Sequence, residues 1–152
     1  MKCFSASLEW IERTYKGKDL AWKIREFIKD AFNKWQIRYV LLVGGSKMIP
    51  PRHAAYIDVV TNTSYLMATD LYYAALDGTW DENSNGVYGD ITMIRWVGGW
   101  NGKDLISEAD WFPELIVGRL PVDNVNELRV VVQKILQYER NPPIGNWMNR
   151  IV

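Results

Sequence analysis

The chain has 152 residues and a mass of 17.7 kDa, the length of one domain, and 48% of its residues are apolar, enough for a sizeable core. Eighteen Lys and Arg balance 18 Asp and Glu, which leaves no excess positive charge for a nucleic-acid backbone or an anionic membrane surface. A single cysteine, Cys3, excludes an intrachain disulfide or a paired-cysteine metal motif; no apolar run approaches the ~20 residues of a membrane span, and residues 1–7 lack the apolar stretch of a secretion signal.

A short helix is expected around residues 8–12, with Gly17 breaking the chain after it. Asp19 is a natural N-cap for the next element, because Leu20, Ile24, Phe27, Ile28, Ala31, Phe32 and Trp35 recur at helical spacing; the pattern predicts an amphipathic helix over 19–35. Ile37 to Val43 is a continuous apolar run closed by Gly44-Gly45, the signature of a strand buried on both faces. Residues 50–113 are rich in Gly, Asn, Asp and Trp, with candidate strands at Ala55–Val60, Leu71–Ala75 and Ile91–Val97. A second apolar run, Leu115-Ile116-Val117, ends at Gly118-Arg119-Leu120-Pro121. Asn124 with Glu127 three residues later then starts a helix whose apolar face is Leu128, Val131, Val132, Ile135 and Leu136. That helix stops at Asn141-Pro142-Pro143, because proline has no backbone N–H to donate.

Asp81-Glu82-Asn83-Ser84-Asn85-Gly86 fits the first half of an EF-hand-like calcium loop. Short Asp81, Asn83 and Asn85 side chains at alternate positions converge in such a loop, and the glycine turns the carbonyl of Val87 inward. Position twelve is Thr92 instead of a bidentate Glu and no helices flank the loop, so a true EF-hand is disfavoured, and Asp90 or Asp77 is left to complete the set. The same residues also suit a plain surface turn, since Asn, Asp and Gly favour turns by themselves.

His53 and Cys3 are the only histidine and thiol, so a Cys–His dyad could come only from these two; an N-terminal thiol and a loop histidine without catalytic roles are the plainer reading. Ser46 follows Gly44-Gly45, but neither G-x-S-x-G nor a phosphate-binding G-K-[ST] is present. Asp70, Asp77, Asp81, Glu82 and Asp90 offer carboxylate pairs for glycoside hydrolysis at separations that spacing does not give. Trp80, Trp96, Trp100 and Trp111 are stacking candidates for a sugar or a partner, or packing residues. Arg119, after the second apolar run, is placed to bond a carboxylate bidentately and tie a loop down.

Taken in order, Ile24-Arg25, Ile28-Lys29, Tyr39-Val40-Leu41-Leu42-Val43-Gly44, Ile49-Pro50, Asp70-Leu71-Tyr72-Tyr73, Asp77-Gly78, Asn85-Gly86-Val87-Tyr88-Gly89-Asp90, Val117-Gly118-Arg119-Leu120-Pro121 and Ile135-Leu136-Gln137-Tyr138-Glu139 resemble the gingipain-type cysteine peptidase family over roughly residues 9–141. The resemblance implies a caspase-like catalytic region of two side-by-side subdomains, a secreted or surface-attached protein, and bound calcium. It extends only to the first, non-catalytic subdomain: the family's His-Gly pair and catalytic Cys come later in the chain, whereas His53 precedes Ala54 and Cys3 lies before it. No catalytic residue is carried over. Gly45 also stands where relatives often have Asp. The expectation is therefore a three-layer α/β sandwich with a mainly parallel sheet over residues 1–141, and a tail or linker at 142–152 toward an absent catalytic half. Calcium is expected at Asp77, Asp81, Asn83, Asn85, Val87 and Asp90. The expected partner is a catalytic subdomain in cis or trans, or a second copy. The alternative is a calcium-dependent module that binds carbohydrate or peptide.

Overall fold

The computed structural model describes residues 3–58, 63–95, 104–142 and 145. The first helix, α1 (Leu8–Thr14), is capped by Ser7, whose hydroxyl accepts from the Trp10 amide; α2 (Leu20–Trp35) is capped by Asp19 and closed by Gln36 in the left-handed region, at φ 53°. The central strands, β1 (Tyr39–Val43) and β6 (Ile116–Leu120), pair in parallel in the register Tyr39↔Ile116 through Val43↔Leu120. Between them lie an antiparallel pair, β2 (Arg52–Asp58) with β3 (Thr63–Thr69), a one-turn helix, α3 (Leu71–Ala74), and a second antiparallel pair, β4 (Ile91–Arg95) with β5 (Asp104–Ser107). The chain then runs into α4 (Val125–Arg140).

The core lies on one face of the β1–β6 pair. Ile24 and Ile28 of α2, Leu42 of β1, Tyr72 and Tyr73 of α3, Trp80 and Leu115 form one buried cluster, with Val40 and Val117 packed against it. Arg119 of β6 grips Asp70 through both carboxylate oxygens at 2.7 Å and donates to the carbonyls of Gly44 and Ile49, so it ties the turn after β1 to the start of α3 as its sequence position suggests. Gly89, at φ 64°, lies where a Cβ would come within 3.1 Å of the Ala54 Cβ and 3.3 Å of the Ala109 Cβ, which lets the 80–90 loop close against β2.

Mixed α/β architecture with parallel central strands is as expected; among the described residues no helix covers the second face of β1 and β6, so a third layer is not seen there. The helix that would build it, α4, starts at Asn124 with Glu127 as the sequence indicates, yet none of its residues is buried. Consistently, β1 alternates: Leu42 is buried, whereas Tyr39, Leu41 and Val43 are exposed, so the run that looked covered on both faces is covered on one. Leu71–Ala74 is a helical turn and not the strand that its Tyr-Tyr pair suggested. The other candidate strands hold over Arg52–Asp58 and Ile91–Arg95, with their predicted ends at 59–60 and 96–97 outside the described residues.

Candidate functional site

The turn after α3 has carbonyls that no strand or helix satisfies, and a buried cation from α2 collects them. The guanidinium of Arg25, 1% exposed, donates to the carbonyls of Ala75, Asp77 and Gly78 and lies 4.8 Å from the Tyr72 ring centre. Burial pulls its pKa below the ordinary guanidinium value, while Tyr72, Glu26, Asp110 and Glu114 act in the opposite direction. The Leu76 amide donates to the Glu114 carboxylate across 38 residues of chain, and the amides of Glu114 and Leu115 both donate to the Ala74 carbonyl. These bonds seat the segment before β6 directly on the Arg25-bound turn.

At this junction Asp77, Asp110 and Glu114 place carboxylate oxygens within 4.8 Å of one another. Asp77 is exposed, and the other two are partly buried. Asp110 accepts from the Phe112 amide through Oδ1, at 2.9 Å, while its Oδ2 is buried without a hydrogen-bond partner among the described residues. Like charges this close raise each other's energy, and a hard divalent cation relieves that repulsion through the six to eight oxygen ligands it prefers. Three carboxylates beside one guanidinium leave two negative charges uncompensated in this group of four, which matches a divalent ion.

The other predicted ligands stay in the 81–90 loop, apart from Asp77. Asp81 is buried, with Oδ1 accepting from the Gly86 amide at 3.1 Å and Oδ2 from Lys18 Nζ at 3.3 Å. Asn83 Oδ1 accepts from the Asn85 amide at 2.9 Å, Asn85 Oδ1 from the Val87 amide at 2.7 Å, and Asn85 Nδ2 donates to Asp90. The loop oxygens thus cap the loop's own backbone, and Ser84 at φ 58° and Gly86 at φ 83° complete the turn. Glu108, buried and distant in sequence, accepts from the Asn83 amide through Oε1.

The sequence gives no local signal for Asp110, Glu114, Arg25 or Glu108, because contact between remote segments brings them together. The flanking ion pair is Arg52–Asp19, bidentate at 2.8 and 3.0 Å, with the Arg52 guanidinium over the rings of Tyr72 and Tyr88. Burial opposes the Arg52 charge, but Asp19 overrides it and holds the pKa above its ordinary value. His53, next to Arg52, is exposed and borders a cleft of about 280 Å³ whose lining includes Pro51, Leu66 and Val87 and no thiol; Cys3 is exposed ahead of α1.

Gly45 backs onto the start of α4, where a Cβ would lie 2.3 Å from the Asp123 carboxylate.

Comparison with curated proteins and with solved structures returns no match. The family model for peptidase family C25 matches residues 2–152, and the chain belongs to that family.

Proposed function

We propose that this chain is the non-catalytic subdomain of a gingipain-like cysteine peptidase, stiffened by a calcium ion held by Asp77, Asp110 and Glu114, and inactive toward peptides until a catalytic subdomain joins it. The observation that carries the first part is the setting of His53. A Cys–His dyad needs its two heavy atoms within hydrogen-bond reach, and the cleft beside the only histidine has no cysteine in its lining. The open outer edges of β1 and β6 among the described residues support the partner, since two strands are fewer than a stable sheet usually has.

The calcium reading rests on the oxygen-only donor set and on the orphaned Asp110 Oδ2. Bound there, the ion supplies a cross-link between the 75–78 turn and the segment leading into β6. Of the six positions that the sequence offers as ligands, Asp77 is the one this reading keeps; the Asp81, Asn83 and Asn85 side chains are occupied in shaping the loop.

Two measurements test this. The chain alone is expected to leave peptide substrates intact; cleavage that His53→Ala abolishes would overturn the non-catalytic reading. Millimolar calcium is expected to raise the melting temperature over that in chelator by roughly 5–10 °C, the effect of about 2.7 kcal/mol at a hundredfold excess over Kd in a domain of this size. An unchanged melting temperature with no ion retained in equilibrium dialysis removes the calcium claim.

A second reading, a calcium-dependent carbohydrate- or peptide-binding module, is favoured by Trp111 and Phe112, 64% and 84% exposed between two of the calcium ligands. Trp80 does not serve it, being buried, and Trp96 and Trp100 lie outside the described residues. Loss of glycan or peptide binding on Trp111→Ala would support this reading.

A further inference from the structure

The 81–90 loop contains two asparagines folded alike. Asn83 Oδ1 accepts from the Asn85 amide at 2.9 Å and Asn85 Oδ1 from the Val87 amide at 2.7 Å, so each side chain curls over the residue that follows it. In each turn the side-chain carbonyl carbon and the next main-chain nitrogen are the two atoms whose bonding closes a succinimide ring.

The two asparagines differ in what stands at that nitrogen. After Asn83 comes Ser84, whose side chain flanks the nitrogen and whose amide donates to the Asp81 carbonyl at 3.3 Å. After Asn85 comes Gly86, at φ 83°, where even a Cβ would find nothing within 4 Å, so access to the nitrogen is open. The Gly86 amide donates to a carboxylate, Asp81 Oδ1, at 3.1 Å, and Asp81 is 4% exposed. A buried carboxylate on an N–H is placed to take its proton, and the Val87 N–H on Asn85 Oδ1 is placed to hold an oxyanion there. Asn85 Nδ2 donates to Asp90 at 3.2 Å, which fixes the amide group in this orientation, and the side chain is exposed to water.

We propose that Asn85 is a self-modifying site, converted by its own loop to an aspartyl or isoaspartyl residue. The Gly86 nitrogen adds to Asn85 Cγ as its proton passes to Asp81, and the negative charge that develops on Oδ1 is met by the Val87 amide. The Cγ–Nδ2 bond then breaks, and ammonia leaves with the proton that Gly86 gave up. The succinimide takes up one water at either of its carbonyls and opens to the two products. The step is independent of the calcium site and of any catalytic subdomain. Either product adds one negative charge to a chain of zero formal net charge, and the aspartyl form sets a carboxylate against Asp90 where an amide had donated to it. The isoaspartyl form lengthens the main chain by a methylene just before Gly86, Val87 and Tyr88, which line the cleft beside His53. Because the Tyr88 carbonyl is held by the Ala55 amide of β2 at 2.8 Å, the conversion acts as a one-way loosening of that wall.

The native chain is incubated in neutral buffer beside a synthetic peptide of residues 79–90, and peptide maps with isoaspartate-specific labelling follow both asparagines. Conversion is expected at Asn85, about tenfold or more faster in the native chain than in the peptide, given what a positioned base contributes, with Asn83 unchanged. The rate in the peptide is expected to rise in proportion to hydroxide and that in the native chain to rise less, because Asp81 takes the proton. Asp81→Asn is expected to bring the rate and its pH dependence to those of the peptide. An Asn85 that converts more slowly in the native chain than in the peptide, or Asn83 converting alongside it, would overturn the proposal. So would a native pH profile parallel to the peptide's, or an Asp81→Asn chain that converts as fast as the native one.

Discussion

Two groups of acidic side chains, one local in sequence and one gathered from remote segments, are satisfied in different ways. In the 81–90 loop the carboxylate and amide oxygens turn back on nearby amides. At Asp77, Asp110 and Glu114 the oxygens face one another, one of them buried with no hydrogen-bond partner among the described residues, and no spacing advertises it. A local motif reports what a segment does for its own backbone, whereas a site that gathers charge from remote segments is visible only once the fold is known.

The largest expected effect is at the anchor of the second group. Arg25→Met would strip three carbonyls of their donor and should cost about 3–5 kcal/mol, read as a fall in the urea midpoint; Asp81→Asn should cost less, because its ion-pair partner Lys18 is itself largely exposed. Next comes the proposed ion. Asp77→Asn and Glu114→Gln should each abolish the calcium-dependent rise in melting temperature, while Asn83→Ala leaves it intact; the reverse pattern would assign the ion to the loop.

A smaller effect concerns acid. Burial pushes the Asp19 pKa up, but the Arg52 guanidinium and the Trp22 amide outweigh it, so the folded value lies below the ordinary carboxylate value. The stability that Asp19 contributes is therefore complete above the unfolded value near 4 and disappears as pH falls through the depressed folded one. Asp19→Asn should flatten that part of the stability profile and cost about 1 kcal/mol near neutrality, since the carboxylate is partly exposed and solvent screens the pair. Smallest is Asn83→Ala, which removes one exposed turn bond and should cost about 0.5–1 kcal/mol.

The sequence made α2 and α4 legible because each combines a helical period with a cap, Asp19 and Asn124, and β1 and β6 because each carries a short apolar run, the first closed by Gly44-Gly45 and the second followed by Pro121. The 71–75 segment misled because Leu-Tyr-Tyr-Ala-Ala carries no period in so short a stretch, and one helical turn satisfies it. The strand Thr63–Thr69 was missed because its start, Thr-Ser, reads as a turn; pairing with Arg52–Asp58 decides it. Arg119 and Asp77 were legible as functional or structural anchors, but their partners were not. Asp70, Asp110 and Glu114 become partners only when the chain returns to them.

Gly45 and Asp123 carry one more consequence. A side chain at 45 would first meet the Asp123 carboxylate, the exposed end of a flexible side chain, so a substitution there asks only that this carboxylate swing toward solvent, whereas at Gly89 the obstacles are the Cβ atoms of Ala54 and Ala109, which cannot rotate away.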